Sequence, residues 1–214
     1  MRLLLIRHGQ TTGNLSNHLQ GDDDPLTDLG RRQAEVTAAH LADHERITHL
    51  YASPLARAFE TASIIGRKIR HEPNLLPGLA ELNIGVAAGT PFATWAADNP
   101  HHLPSLEDPV TRMDFLWEGG ESGHIFRDRV FSAWEHLVAE HLGSDDVVAA
   151  VSHGGALAWI AARVQRLPTD TWPRDIFDNL SISEIDIDID RQGDPTVIEW
   201  NSTTHLTDAG VEVT

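Results

Sequence analysis

The sequence predicts an α/β fold, a three-layer sandwich with a mostly parallel central sheet flanked by helices. Three observations carry that prediction. Leu3-Leu4-Leu5-Ile6 and residues 147–151 (Val-Val-Ala-Ala-Val) are short, fully apolar runs, as in strands buried on both faces. Stretches with helical apolar spacing lie between such runs. The order of the two is strand, helix, strand, helix.

Leu3-Leu4-Leu5-Ile6 reads as the first strand. A helix follows with Thr27 or Asp28 as N-cap; Leu29, Gln33, Val36 and His40 form one stripe, and Ala34, Ala38 and Leu41 its neighbour. Residues 47–51 read as a second strand. Ser53-Pro54 then predicts a helix capped by Ser53, with Leu55, Phe59, Ala62 and Ile65 on one face. Residues 119–123 turn the chain into a long helix whose buried stripe is Phe126, Val130, Ala133, Trp134, Leu137 and His141. Residues 147–151 are a third buried strand, and residues 156–164, after Gly154-Gly155, another helix. Ile185, Ile187 and Ile189 alternate with Asp186, Asp188 and Asp190, as in a strand buried on one side. Ile182 is out of phase with them, which predicts a bulge near Ser183. That half-polar strand is expected at a sheet edge.

Residues 83–123 break the pattern. They hold Pro91, Pro100, Pro104 and Pro109 and little clean periodicity. They read as a partly helical lid inserted into a single domain spanning residues 1–214. A chain of 214 residues can bury a full core without staples.

With no cysteine, disulfides, thiolate metal sites and thiol nucleophiles are excluded. The net charge of −16 is uneven: residues 1–107 carry 9 basic and 12 acidic side chains, residues 108–214 carry 7 and 20. Such a field argues against nucleic acid and anionic membranes as partners. No apolar run reaches membrane-span length, and the first one stops at Arg7, so a cytoplasmic protein is expected. A homodimer is carried as an expectation about assembly.

In open parallel sheets, ligands bind beyond the carboxyl ends of the strands. Three such ends carry polar groups here: Arg7-His8-Gly9-Gln10-Thr11, Ser53-Pro54 with Arg57 one turn on, and Ser152-His153-Gly154-Gly155. Two arginines, two histidines and close-approach glycines suit a phosphate group.

These segments resemble the histidine phosphatase superfamily in its phosphoglycerate mutase-like branch. The likeness begins with Leu5-Ile6-Arg7-His8-Gly9-Gln10-Thr11 and Asn14. It continues through Gln20-Gly21, Pro25-Leu26-Thr27, Gly30, Gln33-Ala34, Ser53-Pro54-Leu55-Ala56-Arg57-Ala58, Thr61-Ala62 and Glu81. It ends with Gly119-Gly120-Glu121-Ser122, Val151-Ser152-His153-Gly154-Gly155, Asn201 and His205-Leu206. The resemblance implies a phosphomonoesterase acting on a small phosphorylated metabolite without metal or other cofactor. His8 would be the nucleophile, with its other ring nitrogen on the Gly9 carbonyl. Arg7, Arg57 and His153 would hold the phosphoryl oxygens. Asn14, Gln20, Gly21 and Gly154 would line the substrate site. Glu81 would be the proton donor, which calls for it to sit partly desolvated under the lid.

The chain departs from the family at Ala87-Ala88-Gly89, where Trp-Glu-Gly is common, and at Glu60, where Gln is common. Mutase-type phosphoryl transfer is the alternative, but Arg112 is the sole Arg or Lys between Gly85 and Gly123, where such mutases are strongly basic. Two other classes rank lower. A metal-dependent hydrolase lacks a recognisable His/carboxylate spacing despite His101-His102, and a non-catalytic phospholigand-binding protein would not need His8, Glu81 and His153 together.

Overall fold

The computed structural model describes residues 1–16, 18–188 and 193–214. Six strands form one sheet in the order β3-β2-β4-β1-β5-β6: β1 (Arg2–Arg7), β2 (His49–Ala52), β3 (Asn74–Leu75), β4 (Val147–Ser152), β5 (Ile182–Ile187) and β6 (Pro195–Ser202). The pairs β1/β4, β4/β2 and β2/β3 are parallel; β5 runs antiparallel to both its neighbours. This is the predicted α/β sandwich with its mostly parallel sheet.

The apolar run of β1 feeds both faces of the sheet. Leu3 and Leu5 pack with Phe126, Val130 and Trp159, on the side of α7 (Gly123–His141) and α8 (Gly154–Val164). Leu4 and Ile6 pack with Ala34, Leu41 and Ile65, on the side of α2 (Asp28–His44) and α3 (Ala56–Ile69). All four are at most 1% exposed, each contributing about 1.5–3 kcal/mol by burial. The predicted stripe of α7 is wholly buried. After the short α1 (Thr12–Ser16), Thr27 caps α2, its hydroxyl accepting from the Gly30 N–H.

Three expectations are corrected. Ser53 does not cap α3, which starts at Ala56 with Leu55 as N-cap; the Ser53 hydroxyl is held by the His153 ring at 2.7 Å instead. Phe59 leaves the buried face and is 42% exposed, because Arg57, Ala58, Thr61 and Ala62 take the inward positions. The half-polar strand β5 is not an edge: β6, unread in the sequence, pairs with it and is the edge. The predicted irregularity does occur, as register shifts around Glu184. Ile189 and Asp190 lie outside the described residues.

Residues 83–123 contain α4 (Phe92–Asp98), α5 (Leu103–Glu107) and α6 (Thr111–Asp114), partly helical as expected. No helix among the described residues is long and apolar enough to cross a membrane.

Candidate active site

The register of β1 against β4 builds the site. Arg7 pairs with Ser152, so both strands end together and the next residues, His8 and His153, emerge side by side. The His8 N–H donates to the Ser152 carbonyl at 2.9 Å, and the two ring centroids are 5.0 Å apart. Below them, the Asn179 amide donates to the His8 carbonyl (2.8 Å) and the Gly9 N–H donates to the Thr61 hydroxyl (3.1 Å). The turn after β1 is fixed by hydrogen bonds on both sides.

His8 Nδ1 lies 2.8 Å from the Gly9 carbonyl. A carbonyl only accepts, so Nδ1 carries the proton and Nε2 keeps its lone pair. Burial, then Arg7 and Arg57, hold the ring well below the usual histidine range, so it is neutral at pH 7. His153 is depressed in the same way, by burial first and then by Arg57, His8 and Arg7. Its Nε2 contacts Ser53, and its Nδ1 is buried without a partner.

Arg57 stands in the first turn of α3, where the strand end at Ala52 aims it into the pocket. It is 1% exposed, and one guanidinium N–H donates to the Gly21 carbonyl at 2.7 Å. Arg7 donates to the Phe177 carbonyl. Burial lowers both guanidinium pKa values, with Glu81 opposing, yet arginine keeps its charge at any pH of interest. Arg7 Nε, Arg57 Nε and His153 Nδ1 are all buried and unpartnered. Leaving such a group unmade costs about 1–3 kcal/mol. The Ser53 hydroxyl accepts from the Leu55 N–H (3.2 Å), so its own proton is available to His153 Nε2 and the ring proton stands on Nδ1; three such donors around one pocket suit an anion.

Glu81 is half-buried on the loop after Leu79. Its Oε2 accepts from the Gly155 N–H (2.9 Å) and its Oε1 from the Leu82 N–H (3.0 Å). A Cβ on Gly155 would stand 2.3 Å from Oε1, so this approach requires glycine. Gly154 opens α8 beside Arg7.

The remaining sequence-predicted residues sit further out. Gln20 lines the cleft and donates to the Thr11 hydroxyl at 2.7 Å. Asn14 is exposed, with its oxygen turned back to the Thr11 N–H and hydroxyl (both 3.0 Å). Gly21 meets Arg57 through its carbonyl.

The cleft above has a volume of about 510 Å³, and part of its wall went unread in the sequence. Trp172, Arg174, Ile176 and Phe177 come from an irregular stretch before β5 that has no periodicity to read. Arg112, which the sequence did single out, joins them, its guanidinium 4.1 Å over the Trp172 ring. Arg129 was also missed. It donates to the carbonyls of Gly78, Ala80 and Glu81 (3.0–3.1 Å) and to both Glu121 oxygens (2.8 Å), clamping the Glu81 loop. A charge one turn from Phe126, inside an apolar helical stripe, was its signal.

The pattern of the histidine phosphatase superfamily (branch 1) matches residues 3–203. The chain is 31% identical to phosphoglycerate mutase-like protein 4 of Arabidopsis thaliana, over 97% of this chain and 88% of that protein. It is 33% identical to glucosyl-3-phosphoglycerate phosphatase of Mycolicibacterium vanbaalenii, over 80% of this chain and 77% of that one. Among solved structures, a mycobacterial glucosyl-3-phosphoglycerate phosphatase in complex with VO3 superposes with a TM-score of 0.79. It shares 30% identity over 94% of this chain and 99% of that one.

Proposed function

The chain belongs to the histidine phosphatase superfamily, and from that premise we propose that it hydrolyses a small phosphomonoester through a phosphohistidine on His8. The observation that carries this reading is the Gly9 carbonyl on His8 Nδ1, which leaves a neutral ring with a free Nε2 beside the buried Arg57 and half-buried Arg7 guanidinium groups.

In the first step the Nε2 lone pair attacks phosphorus and the bond from phosphorus to the ester oxygen breaks. The Arg7, Arg57 and His153 donors take the charge spread over the phosphoryl oxygens. Glu81 gives the departing oxygen its proton, so the product leaves as an alcohol. In the second step Glu81 takes a proton from water, the water oxygen attacks phosphorus, and the N–P bond breaks to return neutral His8 and phosphate. The two guanidinium charges stand where a metal would otherwise be needed. Each Glu81 oxygen holds one backbone donor, which fixes the carboxyl while leaving a further lone pair for the proton in transit. Residues 83–123 serve as the lid over the leaving group.

The test is phosphate release from an aryl phosphate with EDTA present. The wild-type chain turns over, and His8→Ala loses at least about 10³-fold. Full activity in the alanine variant overturns the mechanism. Activity that dies with chelator and returns with zinc makes the chain a metallohydrolase. Binding without turnover across a panel of phosphomonoesters makes it a binding protein.

One observation favours a second reading. Arg112 and Arg174 line the same cleft and offer an anion subsite beyond the phosphoryl pocket. A mutase needs such a subsite to hold a bisphosphorylated intermediate. Rapid phosphoglycerate isomerisation dependent on a bisphosphate primer would decide for it.

A further inference from the structure

At the opposite end of the sheet, away from the phosphoryl pocket, three metal-ligating side chains meet. His49 opens β2, His141 closes α7, and Asp146 directly precedes β4. His141 Nδ1 is 2.9 Å from Asp146 Oδ2, and His49 Nδ1 is 3.7 Å from Asp146 Oδ1. One ligand atom from each lies within 4.8 Å of the others. A tetrahedral zinc ion with bonds of about 2.0–2.1 Å holds its ligands ~3.3 Å apart; here the carboxylate faces each imidazole with a different oxygen, and a small side-chain movement brings the three donors to that spacing.

A chain of hydrogen bonds stands behind these residues. It runs from Asp146 to His141 Nδ1, from His141 Nε2 to the Tyr51 hydroxyl (3.0 Å), and from that hydroxyl to Glu140 Oε2 (3.0 Å). The Tyr51 oxygen is thereby the outer partner that fixes the orientation of a ligating histidine.

We propose that His49, His141 and Asp146 form a binding site for a divalent transition-metal cation, with zinc as the probe, and water in the fourth position. Two imidazoles and one carboxylate are a donor set suited to zinc. His141 is 3% exposed, whereas His49 and Asp146 are 40% and 25% exposed, so the site has a rigid inner ligand and an open side through which the ion enters. The site ties the end of α7 to the starts of β2 and β4. It lies the length of β4 from His153, six residues or roughly 20 Å, so zinc held here takes no part in hydrolysis. The ligands are 92 residues apart from His49 to His141, which is why no local spacing announces them.

The experiment is calorimetric titration of the chelator-stripped full chain with zinc chloride, with aryl phosphate hydrolysis followed in parallel. The expected result is one equivalent bound, raised thermal stability and a hydrolysis rate within about twofold of the metal-free value. His49→Gln and Asp146→Asn each weaken binding at least tenfold without changing hydrolysis. His49 is partly exposed, so His49→Gln keeps the test decisive if Asp146→Asn fails to fold. Two results overturn the proposal: no uptake below millimolar zinc, or equal binding in wild type and His49→Gln. The site does not depend on the phosphatase mechanism, so either can fail alone.

Discussion

The proposed phosphoryl site and the 83–123 insertion are built in opposite ways. On the phosphoryl side, His8, Arg57 and His153 are 2%, 1% and 0% exposed, and each is held by backbone or side-chain hydrogen bonds. In the insertion over residues 83–123, which gives the cleft Ile84, Arg112 and Trp117, α4 and α5 bury no residue at all, and Phe92 and Leu116 are 39% and 61% exposed. The insertion is anchored by Met113 and Trp117, with Trp95, His102 and Phe115 arranged around Trp117 by ring contacts of 5.0–6.4 Å. The phosphoryl group is the same in every phosphomonoester and can be met by a fixed pocket. The leaving group varies, and an insertion with few buried residues, which reaches the cleft through Trp117 and Arg112, can repack around it. Catalytic loss should therefore concentrate on one side and selectivity on the other.

The largest expected effect separates two arginines. Arg57→Ala removes a fixed buried cation from the phosphoryl pocket and should lower kcat by about 10³-fold. Arg112→Ala removes a cation from the far wall, held by its stack on Trp172. It should cost less than about tenfold, mainly in KM and differently for substrates with and without a second anionic group. Equal losses in kcat would break the division between the two sides.

Stability should divide along the same line. Ile6→Ala opens a cavity under the sheet and should cost about 2–5 kcal/mol in urea denaturation. Phe92→Ala, on the exposed wall, should cost less than about 1 kcal/mol. A comparable loss from Phe92→Ala would mean that the insertion is part of the cooperative core.

How much of this was legible follows from the same contrast. β1 and β4 announced themselves because burial on both faces demands an unbroken apolar run. Their polar ends announced the pocket because Arg7, His8 and His153 directly follow those runs. What the sequence could not show was partnership across distance. Ser53 looked like a helix cap because a serine before proline usually is one, but His153, 100 residues later, takes its hydroxyl. β6 has a mixed pattern, exposed at Val197 and Ile198, because an edge strand need not bury either face. The wall from Trp172 to Phe177 has no repeating backbone geometry, so no periodicity encodes it.

The glycine pair after His153 offers a finer test. A Cβ at Gly155 meets Glu81 Oε1 at 2.3 Å, whereas a Cβ at Gly154 would approach Arg7 Nε at an ordinary 3.7 Å. Gly155→Ala should displace the Glu81 carboxyl and lower kcat about 10–100-fold. Substrates with good leaving groups should suffer least, since they need least protonation. Gly154→Ala should stay within about threefold. If the two variants behave alike, contact with Glu81 is not what Gly155 provides.

The smallest expected effect is on stability against acid, to which the buried side contributes through its histidines. Burial holds His8 far below the ordinary histidine value in the folded chain, while in the unfolded chain it titrates near 6.5. Below about pH 6.5 the unfolded state therefore takes up a proton that the folded state refuses. Stability is fully present above that pH and falls as the pH drops through it. For one such group the loss between pH 6.5 and 5.5 is about 1 kcal/mol. His153 contributes in the same direction, for the same reason. His8→Asn should flatten the acid limb of the stability curve by about that amount, whatever it does to stability at pH 8. An acid limb of unchanged slope would mean that the folded pocket accepts a proton on His8, and the neutral nucleophile would then have to be sought elsewhere.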